Sequence, residues 1–168
     1  QKILKVRVTN MINQSEIDIL RQASVPVGQH LIDGKKVDAS NGAQMDVISP
    51  IDGTVLTKIA AGQGLDVDKA VLAARTAFED GRWSGLAPAV RGKILQRIAD
   101  QIANEAHSLA VLGVRDNGTE ISMAIKGEPL SAAGTFRYYG ELCDKQYGEI
   151  APTTPGTLGL VHHTPVGV

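Results

Sequence analysis

Two Asp-Gly pairs, each set inside a short apolar alternating run, place the strongest limit on how this chain folds. In HLIDGKKVD, apolar residues flank Asp33-Gly34. In VISPIDGTVLTKIA, they flank Asp52-Gly53. This dipeptide tolerates the positive φ of a tight turn, so each run predicts an antiparallel hairpin. Pro50 lacks an amide donor and should end the strand ahead of the second turn. The stretch from His30 to Ala60 therefore reads as β structure.

The period then changes to that of a helix. Between Asp66 and Asp80, the residues Val67, Ala70, Val71, Ala74, Ala77 and Phe78 recur at helical spacing. Asp66 is the expected N-cap and Gly81 the expected left-handed residue after the end. A second, longer helix is predicted from Ala87 to Arg115. Pro88 stands at its first position, and Ile94, Leu95, Ile98, Ile102, Ala106, Leu109 and Ala110 form its stripe. Asn117-Gly118 is its expected stop. A third helical region, Glu120 to Asp144, should break at Lys126-Gly127 and restart at Pro129. After Tyr147-Gly148 the pattern returns to strand, with TTPG at Thr153–Gly156 separating GEIAP from TLGLVHHTPVGV.

Residues 1–29 read as an amino-terminal extension, with Ser15 and Asp18 as candidate caps of a short helix through Ile17 and Leu20. The chain opens on QKILKVRVTN without an initiator Met or a signal-peptide core, and it stops abruptly on an apolar run. Both ends read as cuts from a longer product. GEIAP and TLGLVHH offer unpaired sheet edges, so poor monomeric behaviour is expected.

Composition excludes several function classes. The formal net charge is -1, and aromatic residues make up 4%. A nucleic-acid footprint needs a basic excess, and base stacking needs aromatic platforms. No run approaches the length of a membrane span. The single cysteine, Cys143, cannot form an internal disulfide, which points to a reducing, cytoplasmic setting.

Catalytic constellations are scarce. There is no Walker loop, no C-x-x-C and no H-E-x-x-H. Gly62 to Gly64 lacks the third glycine of a dinucleotide loop and reads as a plain loop. Cys143 lies late in a helix with no His within a turn, so a half-buried structural role is expected. His162 and His163 on one strand would point to opposite faces and cannot readily share an ion. Arg137-Tyr138-Tyr139 reads as core and boundary, with a ligand wall as the alternative.

Six blocks, in this order, carry a family likeness: HLIDGKKVDAS, VISPIDGTVLTKIAAG, DVDKAVLAARTAFEDGRW, RGKILQRIADQIANEAHSLAVLGVRDNGTE, TFRYYGELCDKQYGE and HHTPVGV. Together they resemble the amino-terminal third of an NAD(P)-dependent aldehyde dehydrogenase, over about His30 to Val168. The resemblance implies an α/β fold whose Rossmann-like core is missing here. Residues 30–147 would be the hairpin and helical part of the cofactor-binding domain. Residues 148–168 would begin the oligomerisation sheet and lead into the first Rossmann-like strand. The implied reaction oxidises an aldehyde to a carboxylic acid with NAD or NADP through a cysteine thioester. The implied assembly is a homo-oligomer, a dimer or tetramer. The family's nucleophile, general base and dinucleotide loop have no match in this chain, so the isolated segment is expected to be inactive. A non-enzymatic oligomerisation module of the same family is the alternative.

One family site does map onto the chain. The resemblance implies a structural Na+ or K+ ion near Val47 and Ile48, held by backbone carbonyls, and Asp116, held through its carboxylate. A cap or turn role for Asp116 is the plain alternative. Ser131 and Thr135 match positions at the mouth of the family's substrate tunnel, with an exposed polar helix face as the alternative.

Overall fold

The computed structural model describes residues 12–167. Val168 and the first eleven residues of the expected extension lie outside the described residues. The elements run α1 (Gln14–Gln22), β1 (His30–Ile32), β2 (Lys35–Val37), β3 (Gln44–Ile48), β4 (Val55–Ala60), α2 (Gly64–Glu79), α3 (Pro88–Asn104), α4 (Ala106–Asn117), α5 (Ile121–Lys126), α6 (Glu128–Leu142), β5 (Glu149–Ala151) and β6 (Gly159–Val161). The strands form three separate antiparallel pairs, β1–β2, β3–β4 and β5–β6.

Both Asp-Gly hairpins form. Asp33 and Gly34 take φ of 51° and 71°, the two left-handed residues of a tight turn. Gly53 takes φ of 70° in the longer β3–β4 connection, and β3 stops ahead of Pro50. Val47 faces Thr57 but Ile48 faces Val55, so Leu56 is an extra residue on β4 and the ladder bulges there. Gly28 adds a parallel bridge to Ile59. Its amide donates to the Lys58 carbonyl at 2.8 Å and its carbonyl accepts from the Ala60 amide at 2.8 Å. The part of the extension next to β1 is thereby stitched onto the second hairpin.

The helices depart from expectation in three places. The cap of α1 is Asn13, whose side chain accepts from the Glu16 amide at 2.9 Å, and not Ser15. The cap of α2 is Gln63, and Asp66 sits three residues inside, where its carboxylate accepts from the Gln63 amide. The long helix divides at Glu105 (φ -95°, ψ 10°) into α3 and α4. The bond ladder survives the step, from the Glu105 amide to the Gln101 carbonyl and from the Leu109 amide to the Glu105 carbonyl. The division frees α3 to pack on α6 while α4 packs on α1 and α5. Pro88, Gly81, Gly118 and the break at Gly127 stand as expected.

The buried apolar residues are small: Ala39, Ala99, Ala106, Ala110, Val111, Ala124 and Ala133. Where α3 crosses α6, Gly92 meets Gly140. A Cβ on Gly92 would lie 2.5 Å from the Gly140 carbonyl oxygen, so only glycine allows this approach. On α2, Ala73, Ala74, Ala77 and Phe78 are half-buried, while Val67 and Val71 of the expected apolar face are exposed. Beyond β6, residues 162–167 are outside any ladder, so His162 and His163 are exposed tail residues and not strand neighbours.

Candidate functional site at the junction of α1, α4 and β3

The ends of β3 and α4 meet. Gly118 closes α4 with φ of 77°, its amide donating to the Val114 carbonyl at 2.9 Å. A Cβ on Gly118 would lie 3.3 Å from Pro50 Cγ, so the helix end abuts the residue that ends the strand. Val47 and Ile48 lie just before Pro50, and Asp116 lies exposed in the last turn of α4. The strand end and the helix end that carry these three residues are therefore neighbours. The bulge between Val47 and Ile48 also interrupts the regular pairing of carbonyls at that point. Among the described residues no cluster of three or more His, Cys, Asp or Glu side chains suits a metal ion.

Below Ile48 the turn is tied by its own polar groups. Ser49 is buried; its amide donates to the Thr54 carbonyl at 2.9 Å, and its hydroxyl oxygen accepts from the Ile51 amide at 3.3 Å. Asp52 accepts from the Thr54 amide at 3.1 Å and the Thr54 hydroxyl at 2.8 Å. The Thr54 amide, then its hydroxyl, then the Ser49 hydroxyl hold the Asp52 carboxyl below its ordinary value.

Helix α1 covers this junction from the amino-terminal side. Glu16 pairs with His107 Nδ1 at 3.0 Å. Arg115 Nη1 donates to the Ala23 carbonyl at 2.7 Å and, at 3.4 Å, to the Leu20 carbonyl, which also accepts from the Ala23 amide at 3.3 Å. In the sequence, Leu20 and Arg115 figure only as residues of predicted helices, and nothing there pairs them. The one usable signal was a basic residue in the last turn of α4, which ordinarily reads as a response to the helix's own dipole.

A second polar knot ties the first hairpin to α2. Asp66 is buried and accepts from the Ser40 amide at 3.0 Å and the Gln63 amide at 3.0 Å, and the Ser40 hydroxyl donates to it at 3.2 Å. The Gln63 amide first, then the Ser40 amide, lower its pKa.

The other predicted positions are dispersed. Thr135 donates its hydroxyl to the Ser131 carbonyl at 3.0 Å, and both residues are exposed on α6. Cys143 is half-buried with its thiol on the Tyr139 carbonyl at 3.4 Å, the structural role expected of it. Tyr138 and Tyr139 meet edge to face at 5.3 Å, but both are largely exposed, more open than the core and boundary role predicted. Arg137 pairs with Asp100 at 2.7 Å across the α3–α6 crossing.

This architecture has close known counterparts. Residues 36–168 match the aldehyde dehydrogenase family. The chain is 36% identical over 137 residues to the NADP/NAD-dependent aldehyde dehydrogenase PuuC of Escherichia coli (strain K12), covering 82% of this chain and 28% of that protein. It is 35% identical over 144 residues to the cytosolic 10-formyltetrahydrofolate dehydrogenase of Xenopus tropicalis, covering 83% of this chain and 16% of that protein. Among solved structures, the aldehyde dehydrogenase KauB from Pseudomonas aeruginosa superposes with a TM-score of 0.83 at 35% identity, over 89% of this chain and 30% of that one. The chain thus spans less than a third of the length of each of these relatives. The order of hairpins and helices and the matched residues agree: the chain belongs to the aldehyde dehydrogenase family.

Proposed function

We propose that this chain is the amino-terminal part of an enzyme that oxidises an aldehyde to a carboxylic acid with NAD or NADP. The observation that carries the reading is the family match over residues 36–168. The reaction would run through a cysteine thioester formed in the rest of a longer polypeptide. The described residues do not fit a dinucleotide: helix α2, which opens on the Gly62 and Gly64 pair, has its first turn taken by the Asp66 carboxylate. That negative charge opposes a pyrophosphate. No step is therefore assigned to nicotinamide chemistry within this chain, and Cys143 has no role as nucleophile.

The contribution of this segment would be architectural. The carbonyls of Val47 and Ile48 and the carboxylate of Asp116 would hold a structural Na+ or K+ ion and so lock β3 to α4. Ser131 and Thr135 would edge the substrate tunnel. Strands β5 and β6 would join the sheet of a cytoplasmic homo-oligomer, a dimer or tetramer. Among the described residues no helix is long and apolar enough to cross a membrane.

Two experiments test this reading. Aldehyde-dependent formation of NADH or NADPH should appear with the complete polypeptide and be absent with residues 1–168 alone. Turnover by the purified segment, with contaminating enzyme excluded, would overturn the assignment. Diffraction after exchange into Rb+ or Tl+ should give an anomalous peak beside Asp116, and only water there would sink the ion site.

A further inference from the structure

A hollow of about 170 Å³ lies between the β3–β4 turn and the facing ends of α1 and α4, lined by Arg21, Arg115, Ser49, Asp52, Thr54 and neighbouring apolar residues. Its charge is unbalanced. Arg21 and Arg115 bring two guanidinium groups from two different helices. The single lining carboxylate, Asp52, is already engaged by Thr54 and Ser49 and forms no ion pair with either arginine. Arg115 uses only Nη1, on the Leu20 and Ala23 carbonyls, and the Arg21 side chain makes no hydrogen bond or ion pair among the described residues. Residues 1–11 contain no Asp or Glu, so no carboxylate comes from that segment.

Guanidinium forks recognise carboxylates and phosphates through paired N–H groups. One carboxylate satisfies one fork. Two forks on one hollow call for a group with more than two oxygens and more than one negative charge. The volume is that of about five or six waters. It has room for a single phosphoryl group with part of its hydration.

We propose that this hollow binds a phosphate group, either the free ion or the phosphate of a small monoester, between Arg21 and Arg115. The inference rests on this junction alone and is independent of the proposed oxidation. Bound phosphate bridges α1 to α4 and reinforces the Glu16–His107 pair and the Arg115 clasp, so the ligand fastens the amino-terminal helix onto the family domain.

Hydrogen exchange of the α1 amides in the full-length protein tests this. At constant pH and ionic strength, inorganic phosphate is titrated against chloride, and glycerol 3-phosphate is run as a second arm. Exchange at Gln14–Gln22 should slow progressively with phosphate, by about tenfold at ten times the dissociation constant, with no such change in chloride. Arg21→Gln should abolish the slowing and lower the thermal midpoint in chloride only slightly, because among the described residues the Arg21 side chain has no partner beyond the carboxyl end of its own helix. Equal slowing at a lower concentration of glycerol 3-phosphate identifies a monoester ligand, and slowing by inorganic phosphate alone identifies the free ion. Equal protection in phosphate and chloride, or an Arg21→Gln protein that responds like the wild type, overturns the proposal.

Discussion

The α3–α6 crossing and the β5–β6 hairpin use apolar residues in opposite ways. At the crossing the contact is made by residues with little or no side chain: Gly92 against Gly140, with Ala99 and Ala133 buried nearby. The backbones themselves touch, and the chain completes this contact with its own residues. At the hairpin the side chains are large and stand outward, with Ile150 at 74% and Leu160 at 68% exposure. Burial of such groups is worth about 1.5–3 kcal/mol each, and here that stabilisation is not collected within the chain. Stability should therefore depend on the first region and association on the second.

The largest expected effect tests the first half of that contrast. Gly92→Ala should destabilise the chain by about 2–3 kcal/mol, because the new methyl group meets the Gly140 carbonyl and the two helices must part. Gly134→Ala, on α6 but with nothing within 4 Å of its would-be Cβ, should instead stabilise by up to about 1 kcal/mol through helix propensity. Urea unfolding of both variants measures the pair. A Gly92→Ala protein as stable as Gly134→Ala would mean that the crossing is not close-packed.

Next comes the hairpin. Leu160→Asp should leave unfolding of the isolated segment nearly unchanged and weaken self-association of the complete polypeptide by at least about tenfold, the cost of carrying a carboxylate into an apolar contact. Sedimentation at several concentrations reads this. Unchanged association together with a large loss of segment stability would reverse the roles assigned to the two regions.

The same division explains what was legible in the sequence. The Asp33-Gly34 turn, the glycines after α2 and α4, Pro88 and the break at Gly127 all act through backbone geometry at their own position, and local wording carries them. The step at Glu105 has no glycine or proline to mark it, because it arises from α3 and α4 packing on different neighbours. Asp66 looked like a cap because its type and place suit one. Its Ser40 partner is 26 residues away, which periodicity does not reveal. Arg115 reaches Ala23 across 92 residues, so the clasp on α1 was invisible for the same reason. At the candidate ion site, the resemblance pointed to Val47, Ile48 and Asp116, and the Gly118–Pro50 contact explains why their elements are neighbours.

The smallest signal is a slope with pH, and it isolates a contact of a third kind, polar and buried. Asp66 joins the first hairpin to α2, and its carboxyl lies below the ordinary 3.8, chiefly through the Gln63 and Ser40 amides. A carboxyl depressed in the folded state contributes its full stabilisation above the unfolded value and loses it as pH falls through the folded one. The contribution should therefore be constant above about pH 4 and decline below it. Asp52, Asp80 and Asp144 are lowered too, so the total acid slope does not belong to Asp66 alone. The difference between wild type and Asp66→Asn removes those shared terms. The variant should be weaker at neutral pH, and the gap should narrow as acid protonates the wild-type carboxylate. A gap that stays constant down to the lowest pH at which both proteins fold would show that the charge on Asp66 is irrelevant, and that hairpin and helix are held by packing alone.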